Sequence, residues 1–142
     1  MTIKLEFEDS PAMGSMMLRA AFSRKPGLKE HDNLVRFEAE LRDVSVTQLT
    51  AYQQICGFAE SKVVPLTMPQ VIAAPLHMAV LTHKDFPLPA MGMVHVSSKI
   101  TQERAIMSHE RLDIKVWVEG QRQARKGVEL DLITEIFVNE AK

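Results

Sequence analysis

An α+β fold, with an antiparallel sheet wrapped around one apolar helix, is the class that this sequence predicts. Three observations carry it. Residues 71–81 are apolar nearly all round, and a helix without a polar face has to be enclosed. Ahead of them, Val35, Phe37, Ala39 and Leu41 alternate with Arg36, Glu38, Glu40 and Arg42, the period-2 signature of a half-exposed strand. Behind them, Leu112, Ile114, Val116 and Val118 repeat the alternation, as do Val128, Leu130, Leu132, Thr134, Ile136 and Val138.

The elements follow in chain order. Residues 1–30 read as irregular, punctuated by Pro11, Gly14, Pro26 and Gly27, with a short helix at 15–22. Ser45 is placed to cap a helix over 46–56. Its apolar positions Val46, Leu49, Tyr52, Ile55 and Cys56 fall at helical spacing, and Gly57 ends it. Residues 58–68 form a loop. Thr67 stands as the N-cap of the apolar helix, with Pro69 just inside, where a missing N–H costs little. Pro75 is expected to break or kink that helix. After a loop holding Pro87 and Pro89, strands are expected at about 93–102, 112–119 and 128–138. The polar, Gly-bounded stretch 120–127 reads as a long hairpin turn. About five antiparallel strands would then surround the helix. Such a sheet keeps an open edge and face for a second copy or a second domain.

Composition narrows the functional classes. The 142 residues suit a single domain with a sizeable core. Seventeen basic against 18 acidic residues, a net charge of -1, leave no electrostatic footprint for nucleic acid or an anionic membrane. No run approaches the ~18 apolar residues of a bilayer span. Charges interrupt the N-terminus, which does not read as a signal peptide. The lone cysteine, Cys56, excludes an internal disulfide and suits a reducing cytoplasm.

Several side chains are candidates for chemistry. His95 would share a strand face with Met93, Ser97 and Lys99, either lining a cleft or standing on a partly exposed sheet face. His77 lies in the apolar helix, where a hydrogen-bonded core histidine is the plainer reading. His31, His83 and His109 fall in loops. His77 and His83 are six residues apart, which does not put them on one helical face, and no metal site is expected. Cys56 has no neighbouring base and reads as small apolar filler. Arg122, Arg125 and Lys126 are placed either to meet phosphates or to solvate a hairpin tip. The nine methionines suit an adaptable apolar lining as well as plain core.

One set of residues, taken in order, resembles a known family. It comprises Tyr52 with Gly57, the run Val64-Pro-Leu-Thr-Met-Pro69, Phe86-Pro-Leu-Pro, Gly92-Met-Val-His95-Val, Arg104, and Lys126-Gly127. From about Leu34 onward the chain is similar to the MaoC-like (R)-specific enoyl-CoA hydratases and dehydratases of the hotdog superfamily. More narrowly, it is similar to the N-terminal half of members built from two hotdogs. The resemblance implies a hotdog fold and an acyl-CoA or acyl-carrier thioester as substrate. It implies no cofactor beyond coenzyme A within the substrate, and either a homodimer or pairing with a catalytic hotdog. The family's motif, Gly-Asp-x-Asn-Pro-(aliphatic)-His, supplies an Asp and a His that hold one water for addition to an enoyl thioester, as general acid and base. Aligned on Pro65-Leu66, the Asp position holds Lys62, the Asn position Val64 and the His position Thr67, while Gly57 lies four residues too early. Neither Lys62 nor Thr67 can serve as that dyad. The resemblance therefore implies an acyl-pocket half without catalytic residues, with Met68, Leu76, Phe86, Gly92, His95 and Arg125 as its substrate-facing candidates. Two alternatives stay open: a non-catalytic acyl-thioester-binding or assembly module, and a hotdog thioesterase in which Glu60 would be the carboxylate.

Overall fold

The computed structural model describes residues 1–29 and 32–139. Its elements are β1 (Thr2–Phe7), α1 (Met13–Phe22), β2 (Arg36–Ser45), α2 (Leu49–Cys56), α3 (Met68–Leu81), a short 3-10 turn at Ala90–Gly92, β3 (Arg111–Ala124) and β4 (Gly127–Asn139). The strands form one sheet in the order β1-β2-β3-β4, with α3 against its inner face.

The apolar helix behaves as its composition dictates. Of the residues of α3, only Val71 is exposed. Leu76, Val80 and Ala73 are fully enclosed by Phe37, Ala39 and Leu41 of β2 and Leu112, Ile114, Val116 and Val118 of β3. Met16 and Ala20 bury one stripe of α1. The expected break at Pro75 does not occur, and α3 runs on through it. The carbonyl that loses its donor there belongs to Val71, the residue four back. Its 55% exposure puts it on the wet side of the helix, where water can replace the missing N–H.

The sheet departs from the expected one in three ways. First, it is mixed, because β1 pairs parallel to β2 with Ile3, Leu5 and Phe7 opposite Phe37, Ala39 and Leu41. Ile3, Leu5 and Phe7 alternate with Lys4 and Glu6, the same period-2 signal as in β2, and reading residues 1–30 as irregular misses it. Second, it has four strands among the described residues, because residues 93–102 pair with nothing. Third, the stretch 120–127 is not a long turn. β3 and β4 pair up to Ala124 and Gly127, leaving a two-residue turn at Arg125 and Lys126. Gly120 sits at a bulge in that pairing with φ +67°, and Arg122 closes over it onto Glu129 and Asp131 at 2.9 Å each.

α2 also differs in detail. It starts at Leu49 after Gln48, which has φ 61°, while Ser45 remains in β2. Ile55 is 86% exposed, and Cys56 is exposed rather than core filler. The buried member of α2 is Gln53. The helix turns its Leu49–Tyr52–Gln53 side inward, with Leu49 and Tyr52 packed against the core and the Gln53 amide donating to the loop that follows.

His77 fastens α3 to β4. It is 8% exposed, and its Nε2 lies 2.8 Å from Thr134 Oγ1. Burial lowers its pKa from 6.5 to about 4, so the neutral ring is the folded form. His83 is half-buried against the Phe37 ring, 5.6 Å away, and His109 stands exposed in a turn. His31 lies outside the described residues.

Three outcomes are expected. Because the folded-state pKa of His77 is depressed, its contribution is complete above pH 6.5 and is lost as pH falls toward 4. A shift of this size corresponds to at most ~3 kcal/mol. Urea unfolding from pH 7 to 4.5 should show that loss in the wild type and a flatter profile in His77→Asn. Gly120→Ala should destabilise by roughly 1–2 kcal/mol in the same assay, from the left-handed backbone alone. A Cβ there would also sit 2.5 Å from Asp131 Oδ2. Gly14→Ala, with nothing within 4 Å, should be neutral or slightly stabilising.

Candidate functional site

The motif positions lie in the loop between α2 and α3, and that loop is pinned from two sides. Gly57 ends α2 at φ 75°. On one side, Val64 N–H donates to Ile106 O and Ser108 N–H to Lys62 O, each at 2.8 Å, around the bridge between Val63 and Met107. Glu110 holds the opposing turn. It accepts the Met107 N–H at 2.8 Å and pairs with Arg104 at 2.9 and 3.1 Å. The Arg104 guanidinium, then the Met107 amide, keep its carboxyl below the usual carboxylate range. On the other side, the buried Gln53 amide donates to Ser61 O at 3.0 Å and lies 3.5 Å from Val63 O. Its Oε1 has no partner among the described residues.

Thr67 takes the N-cap place of α3, as its position in the sequence predicts, yet it makes no side-chain capping bond. Its hydroxyl instead lies 2.7 Å from the Tyr52 hydroxyl. The Tyr52 ring stacks on Phe58 with centroids 6.3 Å apart. Tyr52 and Gly57 stand out in the sequence, but their spacing carries no sign of this hydroxyl pair. Sequence reasoning misses Gln53 entirely. A polar residue four after Leu49 shares its helix face, and that face is the available signal.

An open depression of about 440 Å3 lies beside the loop, lined by Gln48, Leu49, Thr50, Glu60, Ser61, Lys62 and Ser108. It brings together one carboxylate, one ammonium and three hydroxyls, and no imidazole. Met68, Leu76 and Phe86 do not line it. They belong to the hydrophobic core, at 4%, 0% and 0% exposure, with Phe86 edge-on to Phe37 at 5.2 Å. Gly92 ends the 3-10 turn and is exposed, and His95 lies on the exposed stretch after it, its Nε2 2.8 Å from Ser97 O. Arg125 is at the β3–β4 turn, also exposed. The six substrate-facing candidates are thus divided between the core and the surface. Among the described residues, no three His, Cys, Asp or Glu side chains gather as metal ligands would, and no helix is long and apolar enough to cross a membrane.

The positions that the resemblance aligns with the acid–base dyad hold Lys62 and Thr67. Lys62 is exposed and cationic, and Thr67 presents a hydroxyl already bonded to Tyr52. A neutral hydroxyl does not act as a base near pH 7.

No protein-family model matches the chain. Among curated proteins it is 32% identical over 124 residues to 3-hydroxyacyl-thioester dehydratase X of Mycobacterium tuberculosis, a match covering 86% of this chain and 44% of that protein. Among solved structures, the crystal structure of HtdX from the same organism matches with a TM-score of 0.67 and 30% identity, over 73% of this chain and 46% of that one. The chain thus spans about half the length of the curated relative. Over the stretch shared with that dehydratase, this chain resembles a MaoC-like hotdog domain in sequence and in fold.

Proposed function

We propose that this chain is the acyl-pocket half of a 3-hydroxyacyl-thioester dehydratase, which would run in reverse as an (R)-specific enoyl-CoA hydratase. The acid–base dyad would stand on a second hotdog domain. The observation that carries the reading is the pair Lys62 and Thr67 at the dyad positions, in a chain similar to a dehydratase twice its length. The fold around those positions is kept, with the loop pinned and α3 buried, while the chemistry is gone. What remains useful to such an enzyme is shape. The helix and sheet form an apolar wall, and the partner supplies the water, the proton and the donors to the thioester carbonyl. The acyl group would arrive on coenzyme A or on a carrier protein, with no other cofactor. The single unpaired Cys56 suits a reducing compartment such as the cytoplasm.

Glu60 supports a second reading as a thioesterase, because it lines the depression together with Ser61 and Lys62. A carboxylate there could activate water against a thioester. A non-catalytic acyl-thioester-binding module would need neither group.

One assay separates the three. Hydration of crotonyl-CoA, followed by loss of the conjugated-thioester absorbance, should be at background for this chain alone and should appear with a catalytic hotdog partner. Hydration by the chain alone would sink the half-enzyme reading. Release of free thiol from an acyl-CoA, abolished in Glu60→Gln, would establish the thioesterase instead. Acyl-CoA binding without either reaction, with or without the partner, would leave the binding module.

A further inference from the structure

Helix α1 and the segment after it carry a charge that the whole chain hides. A net charge near zero predicts no footprint on an anionic surface, but that average conceals a local excess. Residues 10–29 hold four of the 17 basic residues, Arg19, Arg24, Lys25 and Lys29, and none of the 18 acidic ones. Of the ten residues of α1, only Ser15 and Arg19 are polar. Met16 and Ala20 bury one stripe on the α3 side. A second apolar stripe is left in water: Met17 at 56%, Leu18 at 64% and Phe22 at 84% exposure, with Ala21 exposed beside them. Met17 and Ala21, like Leu18 and Phe22, are one helical turn apart and share that face.

The fold itself explains only part of this charge. Lys25 donates to His83 O at 2.6 Å and lies 3.4 Å from Lys84 O. It thus caps the C-terminal end of α3, where a cation is favourable. That bond, with Gly27 N–H donating to Pro87 O at 2.9 Å, fastens the segment after α1 to the loop that bears Lys84. Two carboxylates adjoin it. Asp32 accepts the Lys29 N–H at 3.0 Å, and Asp85 lies 3.8 Å from His83 Nδ1. Arg19, Arg24 and Lys84 are exposed and form no ion pair among the described residues. Neither packing nor a helix end requires these three cations beside an exposed apolar ridge.

We infer that the outer face of α1 is a seat for an anionic lipid surface. Met17, Leu18 and Phe22 enter the headgroup boundary of the bilayer, and Arg19, Arg24 and Lys84 meet its lipid phosphates. Charge complementarity names the occupant, because a basic stretch free of acids attracts anionic surfaces and repels basic ones. Shape separates lipid from an acidic protein. A ridge as exposed as Phe22 would need a matching groove on a protein partner, whereas a fluid bilayer moulds to it. Helix α1 has ten residues and lies on the fold, so the contact is peripheral and reversible, and salt weakens it. The inference goes beyond the half-enzyme reading and does not depend on it.

The test uses the full chain and vesicles of phosphatidylglycerol and phosphatidylcholine in roughly equal parts, against phosphatidylcholine alone. Co-sedimentation with the anionic vesicles is expected. It should be at least about 10-fold stronger than with the neutral ones, and lost as salt rises from ~0.1 M to ~0.5 M. Amides of 13–24 should exchange more slowly with the anionic vesicles only. Two variants test the apolar and the charged contact separately. Leu18→Asp/Phe22→Asp should weaken binding by about 100-fold or more, and Arg19→Gln/Arg24→Gln by about 20-fold. Ile55→Asp, at the 86% exposed residue of α2, should bind as wild type. The inference is overturned if the anionic vesicles do not bind the chain, if lipid charge and salt make no difference, or if either double variant binds normally. It is also overturned if 13–24 are already protected in a dimer of the free chain. Protection of 13–24 by a co-expressed copy of the part of dehydratase X that this chain does not match would overturn it as well, since a protein surface would then cover the ridge.

Discussion

Everything in this fold depends on enclosing a helix that has no polar side. Met68–Leu81 presents apolar atoms in almost every direction, and each fully buried Leu or Val contributes ~1.5–3 kcal/mol only if water is excluded from it. The sheet supplies that enclosure from β2 and β3, whose inner residues are all close to zero exposure, and α1 covers part of the rest through Met16 and Ala20. The polar groups buried with the helix are matched individually. His77 meets Thr134, and the Thr82 hydroxyl donates to Met78 O at 2.6 Å.

The enclosure also explains why the loop before α3 is so firmly held. Its position sets where the helix begins, so Val63, Val64 and Lys62 are tied to the 106–108 turn and Gln53 is buried beneath it. A catalytic member of the family needs this geometry to aim two side chains at one water. Here the same geometry carries Lys62 outward and joins Thr67 to Tyr52. The scaffold and the chemistry are separable, because the scaffold is held by backbone bonds and apolar contacts while the chemistry rests on two side chains. This is also why fold alone gives only the reaction class.

Burial is uneven across the sheet. It is complete at β2 and β3 and partial at β4, and it vanishes along 91–105. Burial is thus least at β4 and along the stretch before β3.

Much of this was legible in the residues themselves. The apolar run at 71–81 dictates a buried helix, and the alternations at 35–42, 112–118 and 128–138 dictate β2, β3 and β4, because burial on one face leaves a period that no neighbour can alter. On the alignment that the resemblance implies, Lys62 and Thr67 are not of the residue types that the family's dyad uses. Three features were decided only by tertiary context. Helix α3 passes Pro75 because its orphaned carbonyl falls at Val71, on the exposed side. Gln53 is buried instead of Cys56 because it shares the helix face on which Leu49 and Tyr52 pack against the core, and its amide meets a loop carbonyl there. Residues 93–102 have a strand's composition but no strand, since a strand is defined by its partner and a partner is a property of the assembled surface. The sequence by itself determined what must be hidden from water. The tertiary structure decided which edges stay open, because pairing is long-range and local pattern carries no information about it.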